Sequence, residues 1–222
     1  MKWLLHTLAM VAVLLVTVAC SKDTERSEAY THSQYELVTY VGADEKTGNA
    51  QYELVGRDLT GSTMLQGNIA PAKDLKPLQR VMLRFNYADD DAGAAWRQVK
   101  VYGVTSVVTD SLRSPSVFRF EMHPVKMLSL WRTGDFINLH CQVEYTGKPR
   151  TLMLLIDNDT RYQDTAQLYL NHDLRNNEAY FWRECYASFN VGNVWKRTQC
   201  KTMRIHINDN DAGEKCYDFD RL

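Results

Sequence analysis

Apolar and polar residues alternate with a period of two along most of the chain after residue 35, and no stretch there shows a convincing helical period. Successive side chains of a β-strand point to opposite faces of a sheet, so this alternation predicts strands. The first group of predicted strands is 36–41, 51–55, 63–66, 80–87 and 96–108. The second group is 125–131, 136–145, 150–156, 167–170, 180–191, 201–208 and 214–219. The chain is therefore predicted to be all-β.

The two groups of strands predict two modules. Five short strands with turn signals between them predict a small barrel or sandwich over residues 35–111. The alternation then breaks around a Ser-Pro-Ser sequence, and we place a linker at residues 112–123. Seven short strands in the remaining residues 124–222 predict an immunoglobulin-like β-sandwich, although the Cys-Trp-Cys arrangement of a true immunoglobulin domain is absent.

The first residues carry the pattern of an export signal. Lys2 precedes an unbroken apolar run at residues 8–16, and small and polar residues follow it. A transmembrane helix needs about 20 predominantly apolar residues, and this run is shorter. We therefore expect residues 1–19 to be a signal peptide.

The sequence Thr17-Val18-Ala19-Cys20 resembles the lipobox of bacterial lipoproteins, with Thr17 where those proteins usually have Leu. This resemblance implies cleavage before Cys20 and acylation of its thiol, so that a lipid anchor in the outer membrane holds the protein. An ordinary signal peptide with an incidental cysteine is the alternative. Residues 20–34 are polar and charged, which is typical of a flexible tether. Both a surface-exposed and a periplasm-facing orientation remain open.

Two further segments resemble those of NigD-like lipoproteins. The segment KMLSLWRTGDFINL at 126–139 is similar to the signature stretch of that family, and IHINDNDAGEK at 205–215 is similar to its last hairpin. The resemblance implies an OB-like five-stranded barrel at the N-terminus followed by a β-sandwich. It supplies no catalytic residues.

The charge composition argues against one class of partner, nucleic acid. Lysine and arginine total 26 and aspartate and glutamate total 27, which gives a formal net charge of −1. A protein without a basic field is not expected to bind nucleic acid.

Besides Cys20, the chain has Cys141, Cys185, Cys200 and Cys216. Disulfides are permitted in an exported protein, and strand facing favours pairing Cys141 with Cys185 and Cys200 with Cys216. Buried thiols are an equal alternative for the first pair. The spacings do not match those of zinc sites, and we predict no metal and no cofactor.

One strand carries a candidate binding face. Tyr180, Trp182 and Tyr186 share one side of it, whereas Phe181, Cys185, Ala187 and Phe189 share the other. If the second set is core, the first is an aromatic row of the kind that binds sugars or proteins. The alternative is that the other module or a loop covers this row.

The remaining polar runs favour turns. The acidic runs at 89–91, 157–159 and 209–213 contain Asp, Asn and Gly in turn-forming order and lack the complete ligand spacing of a calcium loop. His140 and His206 are predicted on solvent faces of neighbouring strands, where they could approach each other. Because no nucleophile or phosphate-binding motif occurs, we expect a protein that is not an enzyme. The expected function is binding by an envelope or bacteriocin-associated lipoprotein whose ligand, a protein or a glycan, is undefined, with a glycan-binding accessory role as the alternative.

Overall fold

The computed structural model describes residues 33–56, 61–88, 93–115, 120–145, 147–148, 151–178 and 180–221. The predicted signal peptide, Cys20 and nearly all of the tether lie outside these residues, as does the acidic run at 89–91. Within the described part of the chain, no helix has the length and apolar character needed to cross a membrane.

Thirteen strands and one short helix are described. The barrel strands are β1 Gln34–Ala43, β2 Ala50–Val55, β3 Ser62–Gly67, β4 Arg80–Tyr87 and β5 Arg97–Ser106. The sandwich strands are β6 Val108–Ser111, β7 Lys126–Thr133, β8 Phe136–Tyr145, β9 Thr151–Ile156, β10 Thr165–Asp173, β11 Phe181–Asn190, β12 Thr202–Asp209 and β13 Gly213–Asp220. The helix α1 is Gly192–Trp195.

The first module is a closed five-stranded barrel with the order β1-β2-β3-β5-β4. Neighbouring strands are antiparallel, except that β3 and β5 run parallel. The inward residues of the alternating strands fill the interior, where Val38, Tyr52, Leu65, Leu83 and Phe85 have no exposed surface. The closed five-stranded order confirms the predicted OB-like barrel.

The second module is a sandwich of two four-stranded sheets, β13-β12-β10-β9 and β6-β11-β8-β7. Its core lies between the sheets and includes Ile137, Leu139, Leu168, Phe189 and Ile205. Sheets packed in this way bury alternate residues of each strand, as the period of two in the sequence requires. The predicted all-β fold with a sandwich after the barrel is confirmed.

Two details differ from the sequence analysis. Val108–Ser111 was placed in the first module, but it forms β6 and pairs in parallel with β11 of the sandwich. The chain therefore passes between the modules at residue 107. Phe181, expected in the core, is 56% exposed because it lies at the end of β11 beyond the packed layer. Its ring rests on Tyr145, with 4.9 Å between the ring centroids.

The barrel packs against the outer face of the sheet β6-β11-β8-β7. Leu37, Met82 and Val107 form a buried apolar cluster there, and Trp131 and Tyr186 of the sandwich pack against it. Because β1 and β4 bury one face in the barrel and part of the other face on the sandwich, apolar residues occur on both faces of these strands. We call this contact region the seam.

Candidate functional site

Arg80 is the polar centre of the seam. It begins β4, and its side chain is completely buried. The guanidinium donates hydrogen bonds to Thr39 Oγ1 of the barrel at 3.1 Å and to Ser188 Oγ of the sandwich at 3.2 Å. It also donates to Thr133 Oγ1 at 3.3 Å and Asn138 Oδ1 at 3.4 Å. One arginine thus joins both modules.

The surroundings of Arg80 are polar but neutral. Its four acceptors are hydroxyl and amide oxygens, and its guanidinium carbon lies 4.6 Å from the centre of the Phe136 ring. Burial lowers the pKa of Arg80 to about 10, which the more distant charge of Glu53 only partly offsets. The acceptors are themselves ordered, because Asn138 accepts from Ser188 at 2.8 Å and donates to Thr133 at 2.8 Å. The seam is therefore a fixed polar network inside an apolar contact.

A cleft of about 340 Å³ opens where the barrel meets the uncovered part of the sheet. Its lining residues are Tyr35, Leu37 and Met82 from the barrel and Ser129, Leu130, Trp131, His140 and Tyr186 from the sandwich. Strand register explains the grouping on the sandwich side, because His140 lies opposite both Ser129 and Tyr186 in the neighbouring strands. We call this recess the seam cleft.

Polar groups at the seam cleft are held in place by one another. The His140 ring stacks on Tyr186, with 4.1 Å between centroids and 10° between planes. Glu184 Oε1 lies 2.5 Å from His140 Nε2 and accepts a hydrogen bond from the Tyr186 hydroxyl at 3.2 Å. Burial and the Glu184 carboxylate raise the pKa of Tyr186, so its hydroxyl stays a donor. Flat rings beside a carboxylate and an imidazole can hold a ligand by stacking and hydrogen bonding.

The structure divides the predicted aromatic row. Tyr180 is 70% exposed and precedes β11. Trp182 is half-buried, and the Lys126 ammonium lies 4.5 Å from the centre of the Trp182 ring. Tyr186 is partly buried in the seam. The three residues therefore run from open solvent to the seam cleft, and only Tyr186 lines it.

A second cleft, of about 480 Å³, lies on another side of the seam. Its lining includes Glu53 and Leu78 of the barrel module and Asp110, Phe136 and Asn190 of the sandwich. Leu78 has a φ of +68° and is 75% exposed. A left-handed backbone conformation costs energy for a residue with a Cβ, so Leu78 is held in a strained conformation that leaves its apolar side chain exposed.

Cys200 and Cys216 are thiols in the described part of the chain. Cys141 and Cys185 are buried directly opposite each other on β8 and β11, so the pairing predicted for them remains a prediction. Cys200 and Cys216 do not come together. Cys200 is buried just before β12, whereas Cys216 lies opposite His206, roughly 13 Å along the strand from that end. A disulfide needs Cα atoms within about 7 Å, so the predicted Cys200–Cys216 pair does not fit this fold.

The remaining predicted features are turns and separate histidines. Asp157 Oδ1 accepts from the Asp159 amide at 2.9 Å, and Asp209 Oδ1 accepts from the Asp211 amide at 3.2 Å. Within the described ranges, no group of three His, Cys, Asp or Glu residues is placed to hold a metal ion. The prediction that His140 and His206 approach each other is wrong, because β8 and β12 belong to different sheets.

The period of two alone does not identify the residues that build the seam. The alternation at 80–87 predicts a strand with one inward face, and Val81, Leu83 and Phe85 are buried on that face, but the same pattern assigns no role to Arg80 and Met82. An available signal was apolar residues on both faces of one strand, since an outward methionine beside an inward leucine indicates a second buried face.

Comparison with solved structures finds the same architecture. A NigD-like immunity protein from Bacteroides caccae is 17% identical, with 86% of this chain and 98% of that chain covered and a TM-score of 0.62. A Bacteroides fragilis protein provisionally described as a lipoprotein is 12% identical, with coverage of 86% and 98% and a TM-score of 0.62. A Bacteroides vulgatus protein of unknown function is 16% identical, with coverage of 85% and 92% and a TM-score of 0.66. These likenesses establish the fold.

Sequence comparison identifies the family. No curated protein matches the chain. The pattern of the NigD-like C-terminal beta sandwich domain matches residues 109–221, more than half of the chain, and its start coincides with β6. The chain therefore belongs to the NigD-like family.

Proposed function

We propose that the protein is an outer-membrane lipoprotein, held by acylated Cys20, that binds an extracytoplasmic protein partner without catalysing a reaction. The observation that carries the proposal is the seam cleft, an aromatic recess of about 340 Å³ formed by both modules. Recesses of a few hundred Å³ with aromatic walls and a few placed polar groups are typical binding sites.

The placement of Tyr186 supports a protein partner over a sugar on the predicted row. A continuous exposed row would suit a polysaccharide, but Tyr186 is partly buried in the seam and Trp182 is covered by Lys126. Exposed apolar residues remain at the module boundary: Tyr35 at the seam cleft is 56% exposed, and Leu78 at the second cleft is 75% exposed. Exposed apolar side chains around a recess are suited to a protein surface.

Two likenesses agree with this proposal. One solved neighbour is described as an immunity protein, and another is provisionally described as a lipoprotein. The lipobox-like sequence at residues 17–20 provides the attachment, since two or more acyl chains hold a protein stably on a bilayer.

The anchor and the binding site are tested separately. Intact mass of the protein from its native envelope should show acylated Cys20, and an unmodified N-terminus beyond Cys20 would refute the anchor. For the binding site, a photo-crosslinking amino acid replaces Ser129, which is exposed in the seam cleft. The control position is Tyr162, which is 72% exposed near the opposite sheet.

We expect irradiation of native envelopes to give a discrete protein adduct from position 129 and none from position 162. Equal labelling from both positions, or none from either, would refute a partner at the seam cleft.

A glycan ligand is the second candidate, because the Tyr186 ring stacks on His140 beside the Glu184 carboxylate and Trp131 lines the same cleft. Rings and carboxylates together bind sugars by stacking and hydrogen bonds. Titration with bacterial oligosaccharides should then give saturable heat that Tyr35→Ala abolishes and Tyr162→Ala preserves. Absence of binding by the wild-type chain would dismiss this candidate.

A further inference from the structure

The sheet β13-β12-β10-β9 carries a second cluster of reactive side chains, on the opposite side of the sandwich from the seam. Cys216 lies on β13, the edge strand of this sheet, and it is exposed. It faces His206 of β12 directly across the strand pair, and its Sγ lies 3.3 Å from His206 Nδ1. Thiol and imidazole are thus within hydrogen-bond distance.

The other ring nitrogen of His206 decides the direction of that hydrogen bond. His206 Nε2 lies 2.7 Å from Gln167 Oε1, and an amide oxygen can only accept. In the neutral ring, the tautomer with its proton on Nε2 satisfies this acceptor and leaves Nδ1 with a lone pair. In that tautomer Nδ1 accepts from the Cys216 thiol, and a histidine held in this way can take the thiol proton.

The ring is fixed and its charged form has a partner. His206 stacks on Tyr169, with 4.5 Å between centroids and 14° between planes, and its side chain is only 16% exposed. Glu214 Oε1 lies 3.3 Å from the same Nδ1. When Nδ1 is protonated, this carboxylate faces the new N–H. Thiol, base, orienting amide and carboxylate are therefore placed together.

The other described cysteines lack this setting. Cys141, Cys185 and Cys200 are buried in the sandwich core, and burial raises the pKa of the Cys200 thiol. A thiol enclosed by apolar neighbours is inert, whereas an exposed thiol beside a base is reactive. The comparison singles out Cys216 within the described part of the chain.

We propose that Cys216 is a site of thiol–disulfide exchange that takes a disulfide R–S–S–R as its reaction partner. His206 Nδ1 accepts the thiol proton while Cys216 Sγ attacks one sulfur of the disulfide. The new bond is Cys216–S–S–R, the R–S–S–R bond breaks, and the leaving thiolate takes the proton back from His206 to become R–SH. The protein thiol is oxidised and one half of the disulfide is reduced, so atoms and electrons balance.

The disulfide that reacts with Cys216 can belong to a small molecule or to a second copy of the chain that is already oxidised at Cys216. The position on an edge strand leaves Cys216 accessible to either. Oxidised glutathione is the probe for both. A mixed disulfide on the monomer indicates the small-molecule source, and a dimer on a non-reducing gel, lost in Cys216→Ser, indicates the second copy.

The rate test uses the full chain with Cys20→Ser, so that the thiol of Cys20 does not contribute. The reaction with 5,5′-dithiobis(2-nitrobenzoate) is followed at fixed pH, and peptide mass locates the adduct. His206→Phe keeps a flat ring against Tyr169 but removes the base. It should slow the reaction by about tenfold or more, because a positioned general base typically accelerates a reaction by about a hundredfold or more. Gln167→Leu should slow it, whereas Gln167→Glu, which keeps an acceptor at Nε2, should restore it.

Circular dichroism establishes that each variant is folded before its rate is compared. An unchanged rate in folded His206→Phe would overturn the role of the base. Formation of neither the mixed disulfide nor the dimer with oxidised glutathione would overturn the assignment of the site.

Discussion

Replacing Tyr52 with phenylalanine should stabilise the protein, and more so in alkali. Tyr52 lies on β2 with no exposed surface, 5.9 Å from the Tyr40 ring. Its hydroxyl has no hydrogen-bond partner among the described residues. A buried polar group without a partner costs about 1 to 3 kcal/mol, so Tyr52→Phe should raise the free energy of unfolding near pH 7 by about 1 kcal/mol or more.

The pH dependence has a defined sign. Burial is the main cause that raises the pKa of Tyr52 from 10 to about 12, with the neighbouring Tyr40 adding to it. Above pH 10 the unfolded chain loses this proton while the folded chain keeps it, so the free energy of unfolding falls as the pH rises. Near pH 11 the loss for this group is about 1.4 kcal/mol, and it approaches about 3 kcal/mol beyond pH 12.

Urea unfolding near pH 7 and near pH 11 tests both parts. The advantage of Tyr52→Phe over wild type should grow by about 1.4 kcal/mol between the two pH values. Tyr180→Phe is the control, because this residue is 70% exposed and its substitution should leave stability within about 0.5 kcal/mol. If Tyr52→Phe is less stable than wild type and the difference does not change with pH, the Tyr52 hydroxyl neither lacks a hydrogen-bond partner nor resists ionisation, and the prediction is refuted.

Two further predictions concern the seam and the barrel. Asn138→Leu leaves the buried guanidinium of Arg80 without one acceptor and should lower the free energy of unfolding by about 3 kcal/mol. Arg80→Met should lower it by less, and adding Asn138→Leu to Arg80→Met should lower it little further. Additive losses in a double-mutant cycle measured by denaturant unfolding would contradict this. Gly67→Ala places a Cβ 3.0 Å from a methyl of Val101 and 3.3 Å from a backbone oxygen, so it should lower stability by about 1 to 3 kcal/mol. The Cβ added by Gly103→Ala has no neighbouring atom within 4 Å, so this substitution should not lower the melting temperature. Equal effects of the Gly67 and Gly103 substitutions would refute the packing argument.

The strands could be predicted because burial of one face imposes a period of two. In β4, the alternation of Val81, Leu83 and Phe85 is visible in the sequence and corresponds to the barrel interior. The role of Arg80 could not be predicted in this way. Three of its four acceptors lie in the sandwich, up to 108 residues away in the sequence, and they meet it only where the barrel packs on the sandwich.

The candidate sites show the same division between local pattern and tertiary pairing. The period of two placed Cys216 and Tyr186 on their faces, but it could not assign strands to sheets. His140 and His206 were therefore expected together, whereas His140 pairs with Tyr186 of a strand distant in the sequence and His206 pairs with Cys216 across the β12–β13 hairpin of the other sheet. The position of β6 was missed because four residues are too short to show which neighbour they pair with.

The pairing of β1 has a mechanical consequence. The first half of this strand, residues 34–39, is hydrogen-bonded to β4, and its second half, residues 39–43, is hydrogen-bonded to β2. Leu37 and Thr39 fasten its outer face to the seam. Tension applied from the N-terminal side acts along the strand, so it loads the ladder with β4 in shear rather than opening its hydrogen bonds one at a time. A protein tethered through its N-terminus would thus carry drag on its bound partner through this ladder and the seam contacts of Leu37 and Thr39.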